Sequence, residues 1–318
     1  MKHVWILLAG FGLGLCLLTA CGGVPEEVPS IVPEVVAATP EPTPEPTPEP
    51  TPIPEHTLTV YGLSFSNYTE ELDLSDIEIS DGGAALEALL PECPRLARVI
   101  MCDCGIPDEE MDALNQKYED IRFIWMIHFG RCYYLRTDET AFIASLFLGN
   151  QGNYSNLRDE DVECLKYCTD MTALDLGHMS FTNCEFCAHM PHLRYLILSD
   201  TPVEDISPLA GLQELWFVEM FGCKFTDVSP LLSCPNVRHL NVCWDNIEDV
   251  EDLAKMEWLE RLWFMSPYLS PADYAMLSDA LPETHKQLGC VGSALGGGWR
   301  SDDSYFEMRD AFGAFYLK

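Results

Sequence analysis

Apolar residues recur along this chain with a fixed period. From an anchor at Met171 the pattern returns every 22 residues, at Leu193, Leu215, Val237 and Leu259, each time with apolar residues three and five positions later. The pairs are Leu174/Leu176, Leu196/Leu198, Val218/Met220, Leu240/Val242 and Leu262/Phe264. Alternation over so few residues predicts a short strand with one buried face. Ten residues after each anchor another apolar residue follows: Phe181, Val203, Phe225, Ile247 and Leu269. Ile206, Val228 and Val250 come three residues after the middle three of these. The segments VEDISPLAGL, FTDVSPLLSC and IEDVEDLAKM are therefore copies of one returning turn, with Ser207-Pro208 and Ser229-Pro230 placed as a cap followed by a first-turn proline.

Upstream the frame continues with less even spacing. Its anchors are Thr69, Leu96, Ile121 and Ile143, with inward pairs Leu72/Leu74, Val99/Met101, Ile124/Met126 and Leu146/Leu148. These longer units leave room for helices, and residues 84–90, 109–118 and 159–168 show helical spacing of apolar residues. Residues 129–140 fit the frame worst and read as a hairpin insertion. A unit of this size cannot bury its apolar stripe alone, so copies must stack, their strands forming one parallel ladder with capped ends.

The residues match the LxxLxLxx(N/C)x(L/I) pattern, and the VEDISPL-type return resembles that of the internalin-like class of bacterial surface proteins. The resemblance covers roughly residues 65 to 275. It implies an α/β leucine-rich-repeat solenoid with a parallel concave sheet and helical or 3-10 convex turns. It also implies protein binding on the concave face, without naming a ligand. Domain boundaries follow: a signal at 1–20, a stalk at 21–55, the solenoid at 56–284 and a C-terminal cap at 285–318. Trp299, Tyr305, Phe306 and Phe312 are expected to cover the last repeat.

With the inward positions assigned, the outward ones can be read off. They gather Phe123, Trp125, Phe147, Tyr195, Phe217, Glu219, His239, Asn241 and Trp263, flanked by Trp216 and Trp244. Aromatic side chains interleaved with carboxylates and imidazoles suit a contact surface, since Trp and Tyr give much contact area at small entropic cost. A protein partner is the expected ligand. A cell-wall or host glycan is the alternative, because indole rings beside Asp and Asn also suit sugars. The same residues would serve packing instead if the tail, the 129–140 insertion or a second copy covered them.

The ends and the charge narrow the setting. Lys2, the apolar run Val4–Leu18 and the tetrad Leu18-Thr19-Ala20-Cys21 order like an export signal. The tetrad resembles the bacterial lipobox, which implies lipidation at Cys21, an extracytoplasmic location and membrane attachment through that anchor alone. The following Pro-, Glu- and Thr-rich stretch, with PEPTPEPTPEPTPIPE, cannot build a core and predicts an extended stalk. Of 51 acidic residues seven lie in the stalk, and of 18 basic ones Lys2 lies in the signal; the remaining 44 against 17 give −27, which excludes nucleic acid as a natural partner.

Chemistry is hard to find in the chain. No GxSxG, HExxH or GxxxxGK[ST] occurs, so neither an enzyme nor a cofactor is expected. Cys104 and Cys223 fall on the repeat's N/C position and have a structural reading. Cys184, Cys187, His189 and His192 form the one cluster with metal-ligand residue types. Zinc, a local disulfide and simple packing are all open there, and the spacing is far shorter than a zinc finger's. Asp205, Asp227 and Asp249 recur one repeat apart. Stacked single carboxylates ahead of a helical turn are expected to accept from turn amides rather than to surround calcium, which wants six to eight oxygens.

Overall fold

The computed structural model describes residues 53–144, 156–289 and 298–313. The expectations for the signal, Cys21, most of the stalk, Phe147 and the Leu146/Leu148 pair lie outside the described residues.

Strands β1 (Thr57–Val60) and β2 (Leu63–Ser66) form an antiparallel hairpin. Its two turn residues, Tyr61 and Gly62, both have positive φ (48° and 84°), as a tight right-twisted hairpin requires. Leu58 and Val60 drop from it into the main core, so the hairpin closes the first repeat, a cap that the repeat pattern did not announce. Next come β3 (Glu71–Asp73), β4 (Arg98–Ile100) and β5 (Arg122–Ile124), a three-stranded parallel sheet. The antiparallel pair β6 (Met126–Phe129) and β7 (Tyr133–Arg136) follows, a hairpin where one was expected.

The second sheet holds seven parallel strands in sequence order: β8 (Ala141–Ile143), β9 (Ala173–Asp175), β10 (Tyr195–Ile197), β11 (Phe217–Glu219), β12 (His239–Cys243), β13 (Arg261–Met265) and β14 (His285–Leu288). Pairing is in repeat register, with Leu174, Leu196, Val218, Leu240 and Leu262 side by side and fully buried. β9 to β13 each return through a short turn, either 3-10 (Glu185–His189, Ser207–Leu209, Ser229–Ser233) or helical (Glu251–Ala254, Pro271–Ala280). The recurrent carboxylates start these turns: Asp205 accepts from the Ser207 amide and Asp227 from the Ser229 amide, both at 2.8 Å, and Asp249 from that of Glu251 at 3.1 Å. One apolar cluster runs from Leu58 to Leu281 between strands and turns.

Three expectations need correction. At β5 the inward residues are Phe123 and Trp125, not Ile124 and Met126. Val99 pairs with Phe123, and the Trp125 indole donates to Asp108 at 3.0 Å at the start of the Asp108–Lys117 helix. Both phases of this stretch are apolar, so alternation could not choose between them, and one residue of slip turns every side chain over. At β8 Phe142 faces the core and Ile143 the outer side, which removes Ile143 as an anchor. Finally, the repeat frame does not stop at residue 284, because β14 pairs in register with β13 through His285 to Leu288.

Candidate functional site: the outer sheet face and the helix that covers it

The outer side chains of β9 to β13 are those the sequence pattern singled out, and the register sets them in rows. Tyr195, Phe217, His239 and Arg261 form one row, and Ile197, Glu219, Asn241 and Trp263 the next. All eight are buried. What buries them is the chain's own C-terminal segment: a 3-10 turn, Trp299–Ser301, and a helix, Asp303–Ala311. Trp299, Tyr305, Met308 and Phe312 join Ile143, Tyr195, Ile197, Phe217, Cys243 and Trp263 in a second apolar cluster, separate from the core between strands and turns. The segment was expected to cover the last repeat. It lies on the outer face instead, with Phe306 left largely exposed.

The helix sits there because its apolar residues at 305, 308 and 312 share one face. Asp302 caps it, accepting from the Ser304 amide at 2.9 Å. Trp299 is the anchor. Its ring lies 5.1 Å from that of Phe217 and 5.3 Å from that of Trp263, and its indole nitrogen donates to Glu219 Oε2 at 2.5 Å. Arg261 holds the start of the segment, since its guanidinium lies 4.2 Å from the Trp299 ring centre and pairs with Asp302 at 2.9 Å. The same guanidinium donates to the Trp299 carbonyl at 3.0 Å and to the Ser304 hydroxyl. Further along, Glu307 accepts from Arg194 at 3.0 Å and from the Tyr195 hydroxyl at 3.1 Å.

Burial perturbs the charges beneath. Loss of water pushes the Glu219 carboxyl up to about 7, against the opposing pull of the Trp299 hydrogen bond. It pushes the His239 imidazole down to about 4, with the Arg261 charge acting in the same sense. The His239 ring packs 4.3 Å from that of Trp216. Among the described residues, nothing hydrogen-bonds Asn241 Nδ2, Trp263 Nε1 or either ring nitrogen of His239.

The remaining candidate residues lie outside this buried set. Phe123 and Trp125 belong to the inner core, so they cannot meet a ligand on this face. Trp244 follows β12 in a left-handed conformation (φ 70°) and is 43% exposed. Cys184 and Cys187 are buried in the core whereas His189 and His192 are exposed, with His192 held by Glu214 at 2.9 Å, so the four do not converge. Cys104 and Cys223 take the structural role expected of them, donating to the carbonyls of Leu74 (3.1 Å) and Leu198 (3.3 Å). Asp245 occupies the equivalent N/C position one repeat on, and sequence reasoning passed over it. Its carboxylate accepts from the Cys223 amide at 2.7 Å, and burial raises its pKa well above the usual carboxylate value.

Parallel strands in 22-residue register, inward LxxLxL positions and thiols bonding the turns from within decide the fold. It is an α/β leucine-rich-repeat solenoid. No protein-family model matches the chain, and no curated protein matches it by sequence. Among solved structures, an internalin of Listeria monocytogenes is similar at 24% identity over 40% of this chain and 36% of its own, with a TM-score of 0.34. Internalin C2 of the same organism is similar at 18% identity over 42% of this chain and 71% of its own (TM-score 0.30). A leucine-rich-repeat protein of Leptospira interrogans is similar at 14% identity over 68% of this chain and 59% of its own (TM-score 0.35). Among the described residues no helix is long and apolar enough to cross a membrane.

Proposed function

We propose that this chain is an exported binding protein, held at a membrane by lipid on Cys21 and lifted from it by the stalk, whose repeat domain recognises a protein partner on the outer face of its sheet. The observation that carries the reading is the complementarity of that face to a helix. Tyr195, Phe217, His239, Arg261 and Trp263 take up an aromatic-anchored segment with paired charges at its helix start and at mid-helix. Buried aromatic and arginine anchors ringed by polar contacts are how protein interfaces concentrate their energy. The titratable groups that meet here, Glu219, Arg261 and Asp302, hold the helix in place, and Glu219 and Arg261 are buried without the open approach a reacting group needs. Glycan recognition by the same residues would require uncovered indole faces, and Trp263 is covered.

The test is a pull-down with the full chain immobilised, against a surface-protein extract and a cell-wall glycan fraction in parallel. A protein retained by the wild type and lost on Trp244→Ala, with an unchanged thermal midpoint, is the expected result. Retention of glycan alone would replace this reading with the glycan one, and retention of neither would leave the domain without its proposed role.

A further inference from the structure

We propose that the outer face of β10 to β13 is a receptor groove for an amphipathic helix supplied by another protein, and that this chain's own residues 299–312 are the occupant such a partner displaces. The inference rests on the binding reading above and names the partner's chemistry.

Three observations point this way. First, the helix belongs to the sheet side only through side chains: among the described residues no backbone–backbone hydrogen bond joins 298–313 to a strand. Its links are the Trp299–Glu219 bond, the contacts of the Arg261 side chain with Asp302, Ser304 and the Trp299 carbonyl, those of the Arg194 and Tyr195 side chains with Glu307, and the apolar cluster. Such an element can leave without breaking a ladder. Second, the helix lays one apolar face, Tyr305, Met308 and Phe312, on the sheet, as helices dock in grooves, and the turn before it adds an indole set between Phe217, Trp263 and a guanidinium. Third, the fit is incomplete. Asn241 Nδ2, Trp263 Nε1 and both His239 nitrogens are buried on this face with no hydrogen-bond partner among the described residues, and His239 Nε2 reaches only to within 3.9 Å of the Glu260 carboxylate, so the docked segment supplies none of them with a hydrogen bond.

The third observation also selects the partner. A second copy of this chain would bring an identical helix and leave the same atoms bare. A foreign helix carrying Asn, Gln or Ser opposite β12 and β13 would satisfy them. It would keep an indole for the Glu219 pocket, a carboxylate for Arg261 near its start and another for Arg194 one or two turns on. The tethered helix competes at an effective concentration on the order of millimolar, so exchange in the wild type favours only a partner that binds better than the chain's own segment.

The probe is a fluorescent synthetic peptide, GWRSDDSYFEMRDAFG, matching residues 298–313. It is titrated into the full chain and into Trp299→Ala, with circular dichroism confirming that the variant is folded. We expect binding to the variant at least tenfold tighter than to the wild type. A folded variant that does not bind overturns the proposal, for the helix is then a permanent wall. Should Trp299→Ala fail to fold, hydrogen exchange on the wild type decides: amides of 303–311 exchanging at least tenfold faster than those of β11 and β12 support a displaceable helix, and equal protection overturns it. A wild-type dimer with exchanged helices would transfer the groove to a second copy and overturn the foreign-partner choice. None of these readouts uses the extract pull-down, so the broader binding role can fail or stand independently.

Discussion

Asp245 shows how much one atom matters inside a repeat. The repeat pattern favours Asn or Cys at this place because each can bond the turn from within without carrying charge. Asp245 makes the bond to the Cys223 amide with one oxygen, while Oδ2 is buried with no partner among the described residues. Because its folded pKa is raised, the folded state binds a proton more readily than the unfolded chain does. Stability from this residue is therefore present below the unfolded value of about 3.9 and falls as pH rises above it. Asp245→Asn should raise stability near neutral pH by about 1–3 kcal/mol, the range for relieving an uncompensated buried polar group. The gain should vanish in urea melts at pH 3.5. A variant no more stable than wild type at pH 7 would show that the carboxylate is compensated.

At the scale of elements, the C-terminal helix decides what the sheet can do. Trp299 is fully buried and makes both ring contacts and the bond to Glu219. Trp299→Ala should cost about 3–5 kcal/mol if the helix stays docked around a cavity, and less if the helix swings free. Chemical denaturation together with near-ultraviolet circular dichroism separates the two outcomes. Much of this architecture was legible in the sequence. The 22-residue frame placed the inner residues of β9 to β13, the 3-10 returns and the hairpin near residue 130. It failed where physics gave it no purchase. In Phe123-Ile124-Trp125-Met126 every position is apolar, so period two carries no phase. The spacing of Tyr305, Met308 and Phe312 announces an amphipathic helix, but periodicity says nothing of which surface it meets. The outer row could be named as a row, yet an aromatic face awaiting a partner and one already packed have the same sequence.

On the outer face, pH acts through two further buried groups of opposite sense. Glu219 has its pKa raised to about 7 by burial, so its contribution is fully present below the unfolded value of about 4.3 and is lost as pH climbs to 7. His239, lowered to about 4, works against folding as pH falls below about 6.5, because the unfolded chain then takes up the proton first. Glu219→Gln keeps an acceptor for the Trp299 indole and removes the titration. Its stability relative to wild type should rise by about 3 kcal/mol, as an upper bound, between pH 4.5 and 7.5. A constant difference across that window, read from denaturant midpoints, would mean that Glu219 is solvated in solution.

The ordering of the strands has a consequence in time. β8 to β14 join the sheet in the order in which they occur in the chain, each pairing with its predecessor, so the stack can grow progressively during synthesis. The contacts that close the outer face span 80 residues from Glu219 to Trp299 and 113 from Arg194 to Glu307. Every nascent molecule therefore passes through an interval in which the ladder is complete and its aromatic face is bare, and whatever meets the chain in that interval competes with a helix that has not yet arrived.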